Sequence, residues 1–173
     1  MIEYNIFIAG STESSVIEDT KKEILVLANT IKNTTDCQLR CSDCSDPSKD
    51  NKQEKFNNYI KEQADLFILL IDKVPVGPYS MEELLRACVH YEKDKHPEVY
   101  VFFSASIDKD PYVYDLRNVI KTFTNRYSQP FSDTRELREQ LDKIIRSNIE
   151  SKKKHKIEEE KAKKNQNEAN IHR

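Results

Sequence analysis

Glycine is nearly missing from this 173-residue chain. It has two, Gly10 and Gly77, where an average usage near 7% would give roughly twelve. Tryptophan is absent altogether. No apolar run approaches the roughly 20 residues that cross a bilayer, so no membrane partner is expected. The amino terminus passes directly into strand-like sequence, with no basic region, apolar stretch and small-residue cleavage site in succession. A secretory signal is therefore not expected, and the reading is of a cytoplasmic protein. No basic stripe with interleaved aromatics appears, which argues against direct nucleic-acid binding. The phosphate-cradling G-x-x-x-x-G-K-[ST] and dinucleotide G-x-G-x-x-G patterns are missing too, as are the G-x-S-x-G elbow and H-E-x-x-H.

Cysteine is scarce and needs separate treatment. Cys37, Cys41 and Cys44 stand in a C-x₃-C-x₂-C spacing, one that radical enzymes use for an iron–sulfur cluster. Here Asp43 precedes the third cysteine where an aromatic is usual, no glycine-rich segment follows, and the chain is short for the barrel of such enzymes. A zinc site would need a fourth soft or imidazole ligand, and Cys88 is the only other cysteine. Reduced thiols without a metal are expected. His90 and His96 lack metal spacing and read as surface or packing residues.

What is present is a regular alternation. Tyr4–Ala9, Cys37–Cys41, Leu66–Ile71, Val99–Phe103 and Arg126–Phe131 read as strands, the last weak and at an edge because Pro130 cannot donate to a ladder. Between them, apolar residues recur at helical spacing. Val16, Ile17, Thr20, Ile24, Leu27, Ala28 and Ile31 mark a first helix, and Phe56, Tyr59, Ile60 and Ala64 a second. A third runs from about Ser80 to Lys93, burying Leu84, Leu85, Cys88 and Val89. Leu116, Val119, Ile120 and Phe123 give a fourth, and Leu137, Leu141, Ile144, Ile145 and Ile149 a last. Ser42–Asn51 is a polar loop containing Pro47.

Five strands alternating with five helices predict an α/β fold: a three-layer, doubly wound, flavodoxin-like sheet of five parallel strands in order 2-1-3-4-5, with a long C-terminal helix. Residues 1–149 form one domain, and 150–173 a charged tail or linker that is helical or disordered. The tail carries eight Lys/Arg and five Asp/Glu, net +3, against net −5 for the rest (20 basic, 25 acidic). A protein partner or sensor domain could act through it.

In such sheets ligands bind at the carboxyl ends of the strands, at the switch point where the order reverses. Here that is between the first and third strands, the two that end near Gly10 and Gly77. Gly10, Ser11, Thr12, Gly77 and Ser80 are therefore the candidate binding residues. Both glycines are expected where the backbone turns tightly or approaches a ligand. Ser80-x-x-Glu83 reads as a capping box, as do Ser15-x-x-Glu18 and Asp133-x-x-Glu136. Only the Ser80 box stands at the switch point. A glutamate in the first turn there should stay ionised beside the helix terminus. Such a carboxylate suits the oxocarbenium-like charge that develops as an N-glycosidic bond breaks.

Three segments carry a family likeness. Ile6-Phe-Ile-Ala-Gly-Ser11, then Phe56-Asn-Asn-Tyr-Ile-Lys-Glu-Gln-Ala-Asp65, then the third strand with Ser80-Met-Glu-Glu-Leu-Leu-Arg-Ala87, resemble the Toll/interleukin-1 receptor (TIR) superfamily, in particular its prokaryotic members joined to defence proteins. The likeness covers roughly residues 4–131. It implies an NAD+ hydrolase that cleaves the nicotinamide–ribose bond as a self-associating antiviral effector. NAD+ is then a substrate and no cofactor is expected. Glu83, followed by Leu84, matches the glutamate required for cleavage, with Glu82 as fallback, and Ser42–Asn51 matches the loop that governs TIR–TIR assembly. The family's frequent tryptophan–cysteine pair before the glutamate is missing. The Ala-Gly-Ser ending of the first strand also resembles nucleoside 2-deoxyribosyltransferases, which use a catalytic glutamate. Some TIR domains are interaction modules without activity.

Overall fold

The computed structural model describes residues 2–10, 15–35, 37–43, 52–124 and 130–171. Five parallel strands, β1 (Ile2–Gly10), β2 (Cys37–Asp43), β3 (Leu66–Ile71), β4 (Glu98–Ser104) and β5 (Pro130–Phe131), form one sheet in the order β2-β1-β3-β4-β5. Five helices connect and flank them: α1 (Ser15–Thr34), α2 (Lys52–Glu62), α3 (Pro78–Asp94), α4 (Pro111–Thr124) and α5 (Thr134–Ile171). A 3₁₀ turn at Ala105–Ile107 precedes α4. The expected strand order and three layers are therefore present.

Alternation along the strands divides the core into two. Ile6 and Ile8, Leu66, Ile68 and Leu70, and Phe102 face α1 and α5. Phe7 and Ala9, Phe67, Leu69 and Ile71, and Val101 and Phe103 face α2, α3 and α4. All six residues of β3 are buried, as a central strand covered on both faces requires. Phe7 stacks on Phe67 across β1 and β3, with ring centroids 5.9 Å apart.

At the amino ends of the strands, Asp65 joins several elements. Its Oδ2 accepts from the Asn5 N–H at 2.9 Å and its Oδ1 from Lys152 Nζ at 2.6 Å. Lys152 also donates to the Glu3 carbonyl at 2.8 Å, so α5 is fastened to β1 at this point. Beyond it the helix stands clear of the domain, with residues 154–164 exposed. Replacing Lys152 leaves a buried carboxylate with one partner fewer. Because Lys152 is itself half-exposed, Lys152→Ala is expected to cost about 1 kcal/mol, read as a fall of roughly 2–4 °C in melting temperature.

Two expectations, both about α3, are corrected. The sheet-facing stripe of α3 is Leu84, Ala87 and Cys88 together with Glu83, while Leu85 and Val89 are exposed. An alternative stripe of similar apolarity made the helix phase ambiguous, and Ala87 resolves it by letting α3 lie close to the sheet. Of the two states left open for the tail, helix and disorder, the first is seen: α5 continues as one helix to Ile171, roughly 57 Å from its start. β5 is seen at Pro130–Phe131, and the rest of its expected span, 126–129, lies outside the described residues.

The second correction concerns the start of α3. The helix begins at Pro78, with Gly77 as N-cap and no side-chain cap hydrogen bond, so Ser80 is already inside the first turn. Pro78 sets φ for a first helical residue and lacks only an N–H that would be unpaired there anyway. The capping pattern does form at α5, where Asp133 Oδ1 accepts from the Glu136 N–H at 2.8 Å and Glu136 Oε2 reaches back to the Ser132 N–H at 2.9 Å. Hydrogen bonds from the Ser132 hydroxyl and N–H hold the Glu136 carboxyl below the usual range. Since Gly77 supplies no side-chain cap, Gly77→Ser is expected to stabilise the fold by about 0.3 kcal/mol, with a small rise in the denaturation midpoint.

Candidate functional site at the β1–β3 switch point

β1 and β3 are neighbours, and Gly10 pairs in register with Leu70, one residue before β3 ends at Ile71. β1 and β3 therefore end side by side, as a switch point demands. Gly10 has φ +156°, and a Cβ there would lie 2.9 Å from Ile17 Cγ2 and 3.1 Å from the Leu70 carbonyl oxygen. A glycine lets β1 end tightly against both α1 and β3. Gly77 is different. Its backbone is extended (φ −60°, ψ 150°), and a Cβ there would meet nothing within 4 Å. Of the two glycines, Gly10 is thus the one that close packing requires, and no packing requires glycine at 77. Ser11 and Thr12 lie outside the described residues, as does most of the 42–51 loop.

Glu83 is the sixth residue of α3, in its second turn. The favourable field of a helix terminus fades within the first turn, so it gives Glu83 little of the support expected for a cap. Packing positions it instead. Glu83 lies on the buried side of the helix with Leu84 and Ala87 and is only 2% exposed. Of the buried polar residues described (Thr20, Lys21, Asp65 and Glu83), it is the one carried by the helix that follows β3. Ser80, one turn earlier, is partly exposed.

Glu82 is committed elsewhere. Its Oε1 accepts from Asn57 Nδ2 of α2 at 3.0 Å and from Arg86 Nε at 3.0 Å. It is a surface carboxylate, 42% exposed, that joins two helices. Two further polar residues escaped the sequence reading. Asn57 has no pattern that marks it, because its partner is 25 residues away. Lys21 sits among Ile17, Thr20 and Ile24 on the buried side of α1, 2% exposed and 3.2 Å from Glu18 Oε1. The i,i+3 Glu–Lys spacing was visible, but its burial was not.

The remaining candidates lie away from this crevice or are inert. Burial pushes the Cys88 thiol up to about 12, so it carries no thiolate at neutral pH. His96 precedes β4 at the amino end of the sheet, and burial lowers its pKa, keeping the imidazole neutral. Cys37 and Cys41 are four residues apart along β2, roughly 13 Å, too far to bind one ion together. Cys44 lies outside the described residues. Among the described residues no three His, Cys, Asp or Glu side chains converge as a metal site, and no helix is long and apolar enough to cross a membrane. An open groove of about 610 Å³ between α1 and α5 is lined by Leu27, Thr30 and charged residues such as Arg138, which pairs with Glu23 at 2.9 Å. It lies on the opposite face of the sheet from Glu83.

No family model and no curated protein matches the sequence. Solved structures do. A flavodoxin-like domain from Synechococcus superposes with a TM-score of 0.50 at 12% identity, over 80% of this chain and 91% of that one. The fold is flavodoxin-like. A second similar structure is rubredoxin oxygen:oxidoreductase from Desulfovibrio gigas, with a TM-score of 0.46 and 15% identity over 85% of this chain and 37% of that one. Likeness at this level of identity is one of architecture. In a flavodoxin-like fold the β1–β3 crevice is the general binding position, and the residues of this chain must decide what is bound there.

Proposed function

We propose that this protein is a TIR-like NAD+ hydrolase that cleaves the nicotinamide–ribose bond, with Glu83 as the essential carboxylate. One observation carries the reading: an acidic side chain withheld from water in the second turn of the helix that follows β3, the strand that ends beside β1. Burying a carboxylate is costly unless it is paired and hydrogen-bonded, and Glu83 is not without an interaction partner in its buried setting. The chemistry gives it a task. As the glycosidic bond lengthens, positive charge develops on the ribose, and a fixed negative charge in a low-dielectric crevice stabilises that state more than the neutral ground state. The gain is large because a packed side chain need not reorganise at the moment of reaction.

On this reading the backbone N–H groups of Gly10-Ser11-Thr12 would hold a phosphate or ribose hydroxyl. Ser11, Thr12, Gly77 and Ser80 complete the proposed pocket. The resemblance to TIR domains also supports self-association and a role in antiviral defence inside the cell, with α5 leading toward a sensor or partner. Purified protein at high concentration, incubated with NAD+, should release nicotinamide. If none is released, the assignment fails. If a free base is exchanged on a deoxynucleoside instead, the deoxyribosyltransferase reading replaces it.

A further inference from the structure

The reaction proposed above needs Glu83 held in one orientation, and α3 lacks a side-chain cap to fix its first turn. A polar chain from α2 supplies the constraint. Gln53 Nε2 donates to Asn57 Oδ1 at 3.4 Å, and Asn57 Nδ2 donates to Glu82 Oε1 at 3.0 Å. Arg86 Nε donates to the same oxygen at 3.0 Å from one turn further along α3. The bridge meets α3 at the residue adjoining Glu83. Whatever fixes the rotation of Glu82 about the helix axis also fixes the direction in which Glu83 leaves it. A shift of about 1 Å in a catalytic group can cost about 10²-fold in rate.

We infer that Asn57 is a positioning residue: its hydrogen bond to Glu82 holds the second turn of α3 so that Glu83 meets the substrate. This rests on the N-glycosidase reading of the site. Neither Asn57 nor Glu82 touches the reacting atoms on this account. Glu82 anchors, Asn57 tethers and Glu83 acts. The alternation of an anchoring and an acting glutamate also explains why two adjacent carboxylates point to different environments, one 42% and the other 2% exposed.

Asn57→Asp tests the inference with almost no change of shape. The donor facing Glu82 becomes a carboxylate, and two like charges about 3 Å apart raise the pKa of the pair above the ordinary carboxylate range. Arg86, which remains on Glu82, moderates the repulsion. Glu54, Lys55 and Lys61 are the other charged groups within about one turn of Asn57 along α2. Above the raised pKa the bridge is repelled, and kcat for nicotinamide release is expected to fall about tenfold at pH 7.5 with KM little changed.

Below that pKa the pair shares one proton, the protonated oxygen donates as the amide did, and the bridge re-forms. The ratio of variant to wild-type kcat should therefore climb toward one between pH 7.5 and pH 5. The deficit in melting temperature should narrow over the same range. Simple loss of packing would leave both deficits constant. A wild-type kcat in Asn57→Asp, or a ratio that stays flat across this range, overturns the inference while leaving the N-glycosidase reading intact. A wild-type protein that releases no nicotinamide overturns that reading, and with it the positioning role.

Discussion

Glu83→Gln should reduce nicotinamide release by about 10³-fold or more while leaving the fold intact. The substitution keeps the length and volume of the side chain while removing its charge and turning one acceptor oxygen into an N–H₂ donor, so the apolar packing around Leu84 and Ala87 should be retained. What is lost is the interaction with positive charge on the ribose at the transition state. A single preorganised group of this kind typically contributes about 10²–10³-fold, and a carboxylate that carries the chemistry contributes more. The loss should fall on kcat, because the neutral amide still fills the crevice and ground-state binding changes little. A loss confined to KM, or a residual rate above about a tenth of wild type, would remove Glu83 from the mechanism.

Gly10→Ala should be among the most destabilising of all small substitutions in this chain. The new methyl group would stand 2.9 Å from Ile17 Cγ2 and 3.1 Å from the Leu70 carbonyl oxygen, with φ at +156°. Ile17 is fully buried and Leu70 O belongs to the central strand, so neither yields cheaply. Strain of both kinds together should cost roughly 2–4 kcal/mol, or roughly 5–15 °C in melting temperature for a domain of this size. Against a total stability of about 5–15 kcal/mol this is a large share. The same change at Gly77 meets open space and should cost far less, so denaturation of the two variants side by side separates a structural glycine from a replaceable one. Equal midpoints would contradict the account of the β1 turn.

The fold was legible because its signals are local. A continuous apolar run such as Leu66–Ile71 can only be a strand covered on both faces or part of a buried helix, and its length favours the strand. A parallel sheet followed from helical crossovers of one hand, and the order 2-1-3-4-5 from placing the two longest apolar strands centrally with the first. The phase of α3 was not legible, since Leu84, Leu85, Cys88 and Val89 make as good an apolar stripe as Leu84, Ala87 and Cys88. Only the space between helix and sheet, which favours a small alanine, chooses between them. The same ambiguity hid the burial of Glu83. Ser80-x-x-Glu83 satisfies the capping pattern in sequence, but Pro78 starts the helix two residues sooner and moves the glutamate from the rim into the second turn. At Asp133-x-x-Glu136, with no competing start, the same pattern forms its cap.

The residues that hold the site were out of reach for another reason. Asn57 and Glu82, like Asp65 and Lys152, are partners 25 and 87 residues apart. No periodicity connects such pairs, and nothing in the composition marks Lys21 as buried. Tertiary packing creates these contacts, and they appear only once helices are laid against the sheet.

The central claim is that NAD+ occupies the crevice between the ends of β1 and β3. It is tested most directly by titrating NAD+ into isotopically labelled Glu83→Gln protein, which binds without turnover, and following backbone amide resonances. The account predicts shifts concentrated at Gly10 and along Gly77–Glu83, with the groove between α1 and α5 unaffected. Shifts centred on Leu27 and Arg138, or none at saturating NAD+, would contradict it.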